Sequence, residues 1–329
     1  MGLSARMCPM QRRMNVLVVG GAGYIGGSVT DILTERKIPC TVYDNLLYEQ
    51  HYFKPVNFIF GDVRDTKKLK KLLSQYTHVI WLAAVVGDGA CQINPKVTTE
   101  INENAVRWLS KNFKGRIVFL STCSVYGENR SEANEDTEPN PLSLYASTKL
   151  AAEKSLAQSN AVIFRLGTVF GISDLFSRLR MDLAVNYMTA RAVTQGGLTI
   201  YGGEQWRPFI HVYNVAEAIV NVLNKPVLGI YNLATMNYQI DTLGKEIAKI
   251  TKCKVSYTDS KFEDTRNYFV STKKAKKAGL LKFKKSLPIS HGVKQISDLV
   301  SKGRVKYTDA DVYYNERYVL KLNNEERFT

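Results

Sequence analysis

The chain has 329 residues, with 45 Lys+Arg against 30 Asp+Glu and a formal net charge of +15. At 45% hydrophobic and 23% charged it has a globular composition, which excludes wholesale disorder. No apolar run approaches the ~20 residues that span a bilayer, which excludes an integral membrane protein, while the positive balance leaves anionic small ligands, nucleic acid and plain solubility open.

Residues 1–13 carry Arg6, Arg12 and Arg13 but no apolar stretch, and read as a flexible extension rather than a secretory signal. Residues 15–20 (NVLVVG) are β-rich and unpunctuated, as a strand covered on both faces should be. The same pattern predicts strands over 40–44, 56–62, 78–84, 116–122 and 161–167, separated by helices over 26–36, 66–75, 96–112 and 144–159. Strand–helix alternation at this spacing means βαβ crossovers, hence an α/β fold with a doubly wound parallel sheet, first domain 14–170. After Gly171 the pattern loosens, with strands at 198–201 and 229–233 and helices near 212–223 and 242–251. Residues 171–303 are therefore expected to form mostly a smaller, interdigitated lobe, with some segments returning to the first domain. From 304 to 329 the sequence is polar and aromatic without clear period, and a surface tail is expected.

The first strand runs into Gly20-Gly21-Ala22-Gly23-Tyr24-Ile25-Gly26, and a helix follows. Glycines at 20, 23 and 26 permit a tight turn, close approach of backbone N–H groups to a pyrophosphate, and close helix–strand packing. The helix N-terminus adds a positive dipole. Asp44 ends the next strand about 20 residues beyond the turn, where an acid binds adenosine ribose hydroxyls and repels a 2′-phosphate, favouring NAD over NADP. The plain alternative is a turn residue or helix cap in Asp44-Asn45.

Tyr145-Ala146-Ser147-Thr148-Lys149 lies in a helical stretch, so Tyr145 and Lys149 stack on one face. An ammonium beside a phenol favours phenolate and lowers the tyrosine pKa towards the working range, making a general acid/base. A Tyr and a Lys on a solvated helix face is the commoner reading of that spacing alone. Upstream, Ser121-Thr122-Cys123-Ser124-Val125-Tyr126-Gly127 closes a strand at the edge where doubly wound sheets bind ligands, so a hydroxyl there can share a substrate hydroxyl with Tyr145. Cys8, Cys40, Cys91, Cys123 and Cys253 form no C-x-x-C pair, and His51, His78, His211 and His291 do not cluster with them. No disulfide framework and no metal site are expected, and a reducing cytoplasmic setting fits.

Taken together, GGAGYIG (20–26), YDNL (43–46), GDVRD (61–65), LAA (82–84), STCSVYG (121–127), YASTK (145–149) and RPFIHV (207–212) resemble the extended short-chain dehydrogenase/reductases of the nucleotide-sugar epimerase/dehydratase family, over about residues 14–300. The resemblance implies a Rossmann NAD-binding domain, with a catalytic trio of Thr122, Tyr145 and Lys149. It implies cofactor contacts from Gly20, Gly23, Tyr24, Ile25, Gly26, Asp44, Asn45, Asp62, Val63, Ala83, Ala84 and Lys149. Substrate contacts would come from Thr122, Asn186 and Arg207, the last two gripping a nucleotide diphosphate; a helix cap and a surface ion pair are their plain alternatives. It also implies a homodimer through helices near 96–112 and 144–159, whose Ile101, Ala105, Val106 and Leu109 suit an ordinary core equally well.

Departures from the family pattern narrow the chemistry. Where the 4,6-dehydratases carry an Asp-Glu pair after the catalytic Thr, this chain has Cys123 and Ser124, which demotes dehydration. Cys123 is also one step out of register for a deprotonating cysteine and reads as a small packing residue. Thr168, where many relatives have Asn, and Tyr213-Asn214, in place of acidic residues, put substrate contacts in doubt. The expected activity is NAD-dependent epimerisation of a nucleotide-diphosphate sugar by oxidation and re-reduction at a carbinol carbon, C4 foremost. A nucleotide-sugar 4-dehydrogenase or 4-ketoreductase is the alternative, and a noncatalytic RNA-binding or scaffold protein a third. The lysine blocks at 67–71 and 273–285 do not interleave aromatics in the way a single-strand binding surface would and read as solvated helix faces, so a nucleic-acid partner is not expected.

Overall fold

The computed structural model describes residues 14–258 and 267–329; the extension expected over 1–13 lies outside them. The strands are β1 (Val16–Val19), β2 (Cys40–Asp44), β3 (Asn57–Phe60), β4 (His78–Trp81), β5 (Arg116–Thr122), β6 (Glu128–Ala133), β7 (Ala161–Leu166), β8 (Thr168–Phe170), β9 (Gly197–Tyr201), β10 (Trp206–His211), β11 (Gly229–Leu233), β12 (Met236–Gln239), β13 (Lys254–Thr258) and β14 (Asn267–Val270). The helices are α1 (Tyr24–Glu35), α2 (Thr66–Leu73), α3 (Asp88–Ile93), α4 (Pro95–Thr99), α5 (Ala105–Asn112), α6 (Leu144–Leu156), α7 (Ala184–Gln195), α8 (Val212–Val222), α9 (Ile240–Thr251), α10 (Lys273–Lys277), α11 (Ile289–Ser301) and α12 (Asn315–Asn324).

Seven strands form one parallel sheet in the order β11-β7-β5-β4-β1-β2-β3. Because successive side chains alternate across a strand, Leu17 and Val19 enter one core layer while Val16 and Val18 enter the other. The first layer includes residues of α5 and α6, the second residues of α1 and α8. Strand order turns back between β1 and β4, and the crevice outside the carboxyl ends of strands at such a switch is where this architecture binds ligands. The expected doubly wound fold is what the chain adopts. β11 joins the main sheet beside β7, one of the segments expected to return. The smaller lobe gathers α7, α9 and α11 around the three-stranded β12-β10-β8 sheet and the β13-β9 pair.

Two expectations change. The helix expected over 96–112 is α4, then a π-helical turn Glu100–Asn104, then α5. Its Ile101, Ala105, Val106 and Leu109 are buried in the chain's own core. The surface tail expected from 304 instead contains α12, and Val319, Leu322 and Phe328 are buried in that same core. Val319 and Leu322 share a helix face at i,i+3 spacing, but a stripe this short, inside a polar sequence, leaves little periodic signal. Among the described residues no helix is long and apolar enough to cross a membrane, and no cluster of His, Cys, Asp or Glu could hold a metal ion.

Candidate active site

A cavity of about 400 Å³ opens along the carboxyl ends of the central strands. Its floor is the glycine turn, and the three glycines serve different ends. Gly20 has φ +80°, and a Cβ there would sit 2.4 Å from the Ala83 nitrogen; a Cβ on Gly26 would sit 2.3 Å from the Gly21 oxygen. Both are demanded by the protein's own backbone. A Cβ on Gly23 would meet nothing nearer than the Gly20 oxygen at 3.5 Å, so its missing side chain leaves room at the cavity wall. Helix α1 starts there with no side-chain cap and no acid in its first turn, leaving its first N–H groups and its dipole to an anion. These features fit a dinucleotide pyrophosphate.

Around the turn, Tyr24, Ile25, Asp44, Asn45, Val63, Ala83 and Ala84 line the cavity. The Asp44 carboxylate accepts N–H bonds from Ala22 (3.0 Å) and Leu46 (2.8 Å), and burial pushes its pKa up against those bonds. Asp62 is different. It is not among the cavity-lining residues; its carboxylate pairs with Arg64 at 2.9 Å and accepts from the Asn45 amide at 3.1 Å. Arg64 and Asn45 hold its pKa below the usual carboxylate range despite burial.

The candidate trio meets at the other end of the cavity. Thr122 closes β5 and caps the 3₁₀ turn Cys123–Tyr126, accepting the Ser124 N–H at 3.1 Å. Helix α6 is started by Ser143, whose hydroxyl accepts the Ala146 N–H (3.2 Å) and donates to Asp88 (2.6 Å). That places Tyr145 in the first turn and Lys149 one turn on, and both line the cavity with Thr122, whose hydroxyl donates to the Ser124 hydroxyl oxygen at 3.1 Å. The Lys149 ammonium sits 4.4 Å from the Phe119 ring centre. Burial pushes its pKa down to about 8, with Cys91 and Glu153 opposing. The expected lowering of the Tyr145 pKa by Lys149 is not what dominates: burial raises the phenol well above its ordinary value, and Thr122 is what opposes it. In a site this dry, desolvation of the charged form outweighs the groups that favour phenolate.

Beneath the trio a buried polar network ties β5, β7 and α6 together. Glu153 accepts from the Ser121 hydroxyl and pairs with Arg165 at 2.7 Å. Arg165 also donates to the Tyr126 hydroxyl (3.1 Å), which donates to Asn232 (2.7 Å). Cys123 is fully buried, donates to the Arg165 carbonyl at 3.2 Å, and burial raises its thiol pKa. It packs, as read from the sequence.

On the substrate side the two expected residues part company. Arg207 lines the cavity with its guanidinium 5.3 Å from the Tyr268 ring centre. Asn186 does not line it. Its amide accepts from the Gly171 N–H (2.9 Å) and donates to the carbonyls of Gly171 (3.0 Å) and Arg180 (2.8 Å). With donors and acceptor committed to the backbone, it pins the loop 171–180 instead of gripping a ligand.

A family model described as the NAD dependent epimerase/dehydratase family matches residues 16–234. The chain belongs to that family. It is 31% identical over 245 residues to an uncharacterized UDP-glucose epimerase, YtcB, of Bacillus subtilis (strain 168), covering 65% of this chain and 74% of the relative. Among solved structures it is similar to the Thermus thermophilus UDP-glucose 4-epimerase complexed with NAD, with TM-score 0.71, 27% identity, 89% of this chain and 100% of that one. It is also similar to the UDP-N-acetylglucosamine 4-epimerase of Methanobrevibacter ruminantium in complex with UDP-N-acetylmuramic acid, with TM-score 0.71, 26% identity and coverage of 89% and 99%.

Several residues of this epimerase/dehydratase site went unread in the sequence. Asn102, in the π-helical turn, accepts the Val85 N–H (2.8 Å) and donates to the Val85 carbonyl (2.9 Å), fixing the loop after β4. Arg180 and Asp182 form a two-pronged ion pair (2.6 and 3.0 Å) at the cavity wall. Asn315, at the start of α12, donates to the Val86 carbonyl (2.9 Å), while its backbone N–H goes to Asp182 (2.9 Å). Tyr268 reaches Ser124 at 3.3 Å between hydroxyl oxygens. None of them left a local signal in the sequence: the π-helical turn that carries Asn102, a feature frequent at functional sites, lay inside one expected helix, and the others depend on contacts far apart in sequence.

Proposed function

We propose that the chain is an NAD-dependent nucleotide-sugar 4-epimerase acting on a UDP-sugar. One observation carries the reading: the Thr122 and Tyr145 side chains and Lys149 line the same cavity as the glycine turn and Asp44. The UDP-sugar comes from the relatives, each of the three named above being called an epimerase of a UDP-sugar. Bound NAD supplies reversible hydride transfer.

The chain's own residues do the rest. Thr122 holds the C4 hydroxyl, and Tyr145 takes and returns its proton. The Lys149 ammonium supports the phenolate form when Tyr145 is deprotonated, and Arg207 meets the nucleotide diphosphate. Burial keeps the proton on Tyr145 before substrate arrives, which suits a group that must also act as the acid on the return step. Because the keto sugar is reduced on its opposite face, it must turn before the proton is given back. A homodimer, which rests on the sequence resemblance, and a cytosolic setting, which rests on the scattered cysteines, belong to the same reading.

The test is to release bound nucleotide for mass spectrometry, then incubate the protein with UDP-, GDP-, CDP- and dTDP-sugars without added cofactor. Retained NAD and a C4 epimer of a UDP-sugar are expected. Accumulation of keto sugar with NADH would replace the epimerase by a dehydrogenase. No nucleotide and no turnover would overturn the enzyme reading.

A further inference from the structure

Arg178 is a cavity-lining cation that neither the glycine turn nor the trio accounts for. Its guanidinium donates to the Val312 carbonyl and to the Asn315 side-chain oxygen. It lies 4.6 Å from the Tyr48 ring centre and 5.9 Å from that of Tyr318. Every one of those partners is neutral, and no carboxylate among the described residues pairs with it. The contrast with Arg180 is direct, since that guanidinium is matched by Asp182 through two bonds.

Of the acids whose charge acts on it, Asp182 is matched to Arg180, and Glu49 spends one oxygen on the Arg178 backbone N–H (2.9 Å), its pKa pushed up by burial to about 7. Burial and the like charge of Arg180 both disfavour the charged form of Arg178. A partly buried guanidinium with neutral partners and N–H groups to spare lacks its anion. Its neighbours place it over the cofactor half: Tyr48 and Glu49 follow β2 a few residues beyond Asp44, and Asn315 holds the loop after β4 at Val86.

We infer that Arg178 binds an oxyanion of a ligand diphosphate, that of the bound dinucleotide foremost, and that the C-terminal segment at Val312 and Asn315 is what holds it over the cleft. The inference rests on the NAD and UDP-sugar reading given above. It gives the α12 segment a task at the site, because the residues that aim Arg178 come from the last twentieth or so of the chain.

Binding, not turnover, tests it. Dissociation constants are measured for NAD, ADP and adenosine, and for UDP and uridine, on wild type, Arg178→Met, Arg178→Lys and Asn315→Ala, each checked for cooperative melting. In Arg178→Met the constants for NAD and ADP should rise roughly tenfold or more, as when a charge-assisted bond is lost, with adenosine unchanged. A rise for UDP but not uridine would also support the diphosphate role and assign it to the nucleotide sugar. Arg178→Lys should recover part of the loss, keeping the charge but not the fork. Asn315→Ala should shift binding in the same direction by a smaller factor, and it tests the inference even should Arg178→Met fail to fold. Wild type that binds neither NAD nor UDP would overturn both the functional reading and this one. Unchanged constants in folded Arg178→Met, beside a wild type that binds, would overturn the role of Arg178 alone; unchanged constants in Asn315→Ala would overturn the part given to the C-terminal segment.

Discussion

The two ends of the cavity are built on different principles. The cofactor end is made by contiguous sequence: one strand, one glycine turn and one helix, with Asp44 closing the neighbouring strand. The end facing the sugar and the cover over the cleft are made by residues remote from one another, such as Arg178 with Asn315 and Ser124 with Tyr268. Local geometry can be inherited as a motif, whereas assembled geometry depends on every element that delivers a residue. Substitutions should therefore act on one function at the first end and spread through the structure at the second.

The largest effect should come from Tyr145→Phe, which removes the proton carrier without disturbing the turn. Turnover should fall by about 10²–10⁴-fold or more, with NAD still retained through gel filtration; loss of NAD instead would mean that the role assigned to Tyr145 is wrong. Next is the buried Arg165–Glu153 pair. Glu153→Gln leaves a guanidinium buried without its counter-charge and should cost about 3–5 kcal/mol by urea unfolding, while a loss under about 1 kcal/mol would show that the pair is not a brace for α6.

Two glycine variants separate packing from ligand binding within one turn. Gly20→Ala forces a Cβ against Ala83 at positive φ and should cost about 2–4 kcal/mol of stability. Gly23→Ala has no such clash and should leave the melting temperature nearly unchanged while weakening NAD. Equal destabilisation by both would break the distinction. Asn186→Ala, at the assembled end, should cost about 1–3 kcal/mol by leaving backbone groups of the 171–180 loop unpaired. A rise in KM with stability unchanged would instead restore the ligand contact first expected of it.

The smallest effect is in the pH profile. Lys149 has its folded pKa depressed to about 8 from an ordinary 10.5, so its ammonium is discharged as pH rises through 8. The kcat should fall over that interval. The linkage runs the other way for stability: the unfolded chain binds the extra proton between about pH 8 and 10.5, so this group makes the fold more stable as pH rises there. In Lys149→Met both dependences should vanish; a kcat profile in that variant still falling near pH 8 would assign the titration elsewhere.

The same contrast explains what could be read before the structure. The parallel sheet and the glycine turn were legible because short-range spacing specifies each of them, while Thr122, Tyr145 and Lys149 were singled out through the family resemblance and line one cavity. Asp62 and Asn186 were placed by their motif positions, yet their side chains are claimed by Arg64 and by the Gly171 backbone, which spacing does not record. α12 was missed because its apolar stripe is two residues deep and depends on the core it joins. Arg178 carried no signal, since its importance lies in the neutrality of the partners around it. The +15 charge, by contrast, has little part in the site. Lys273, Lys282 and Lys285 are exposed on or after α10, and the cavity's cations are Lys149, Arg178, Arg180 and Arg207.

The most direct test follows a label through the reaction. UDP-glucose carrying deuterium at C4 is incubated with the purified protein, without added cofactor, and the products are read by NMR. The account predicts the C4 epimer with deuterium retained at C4, because hydride leaves and returns within one site. Epimer that has lost its deuterium to solvent hydrogen, or a keto sugar without epimer, would contradict it.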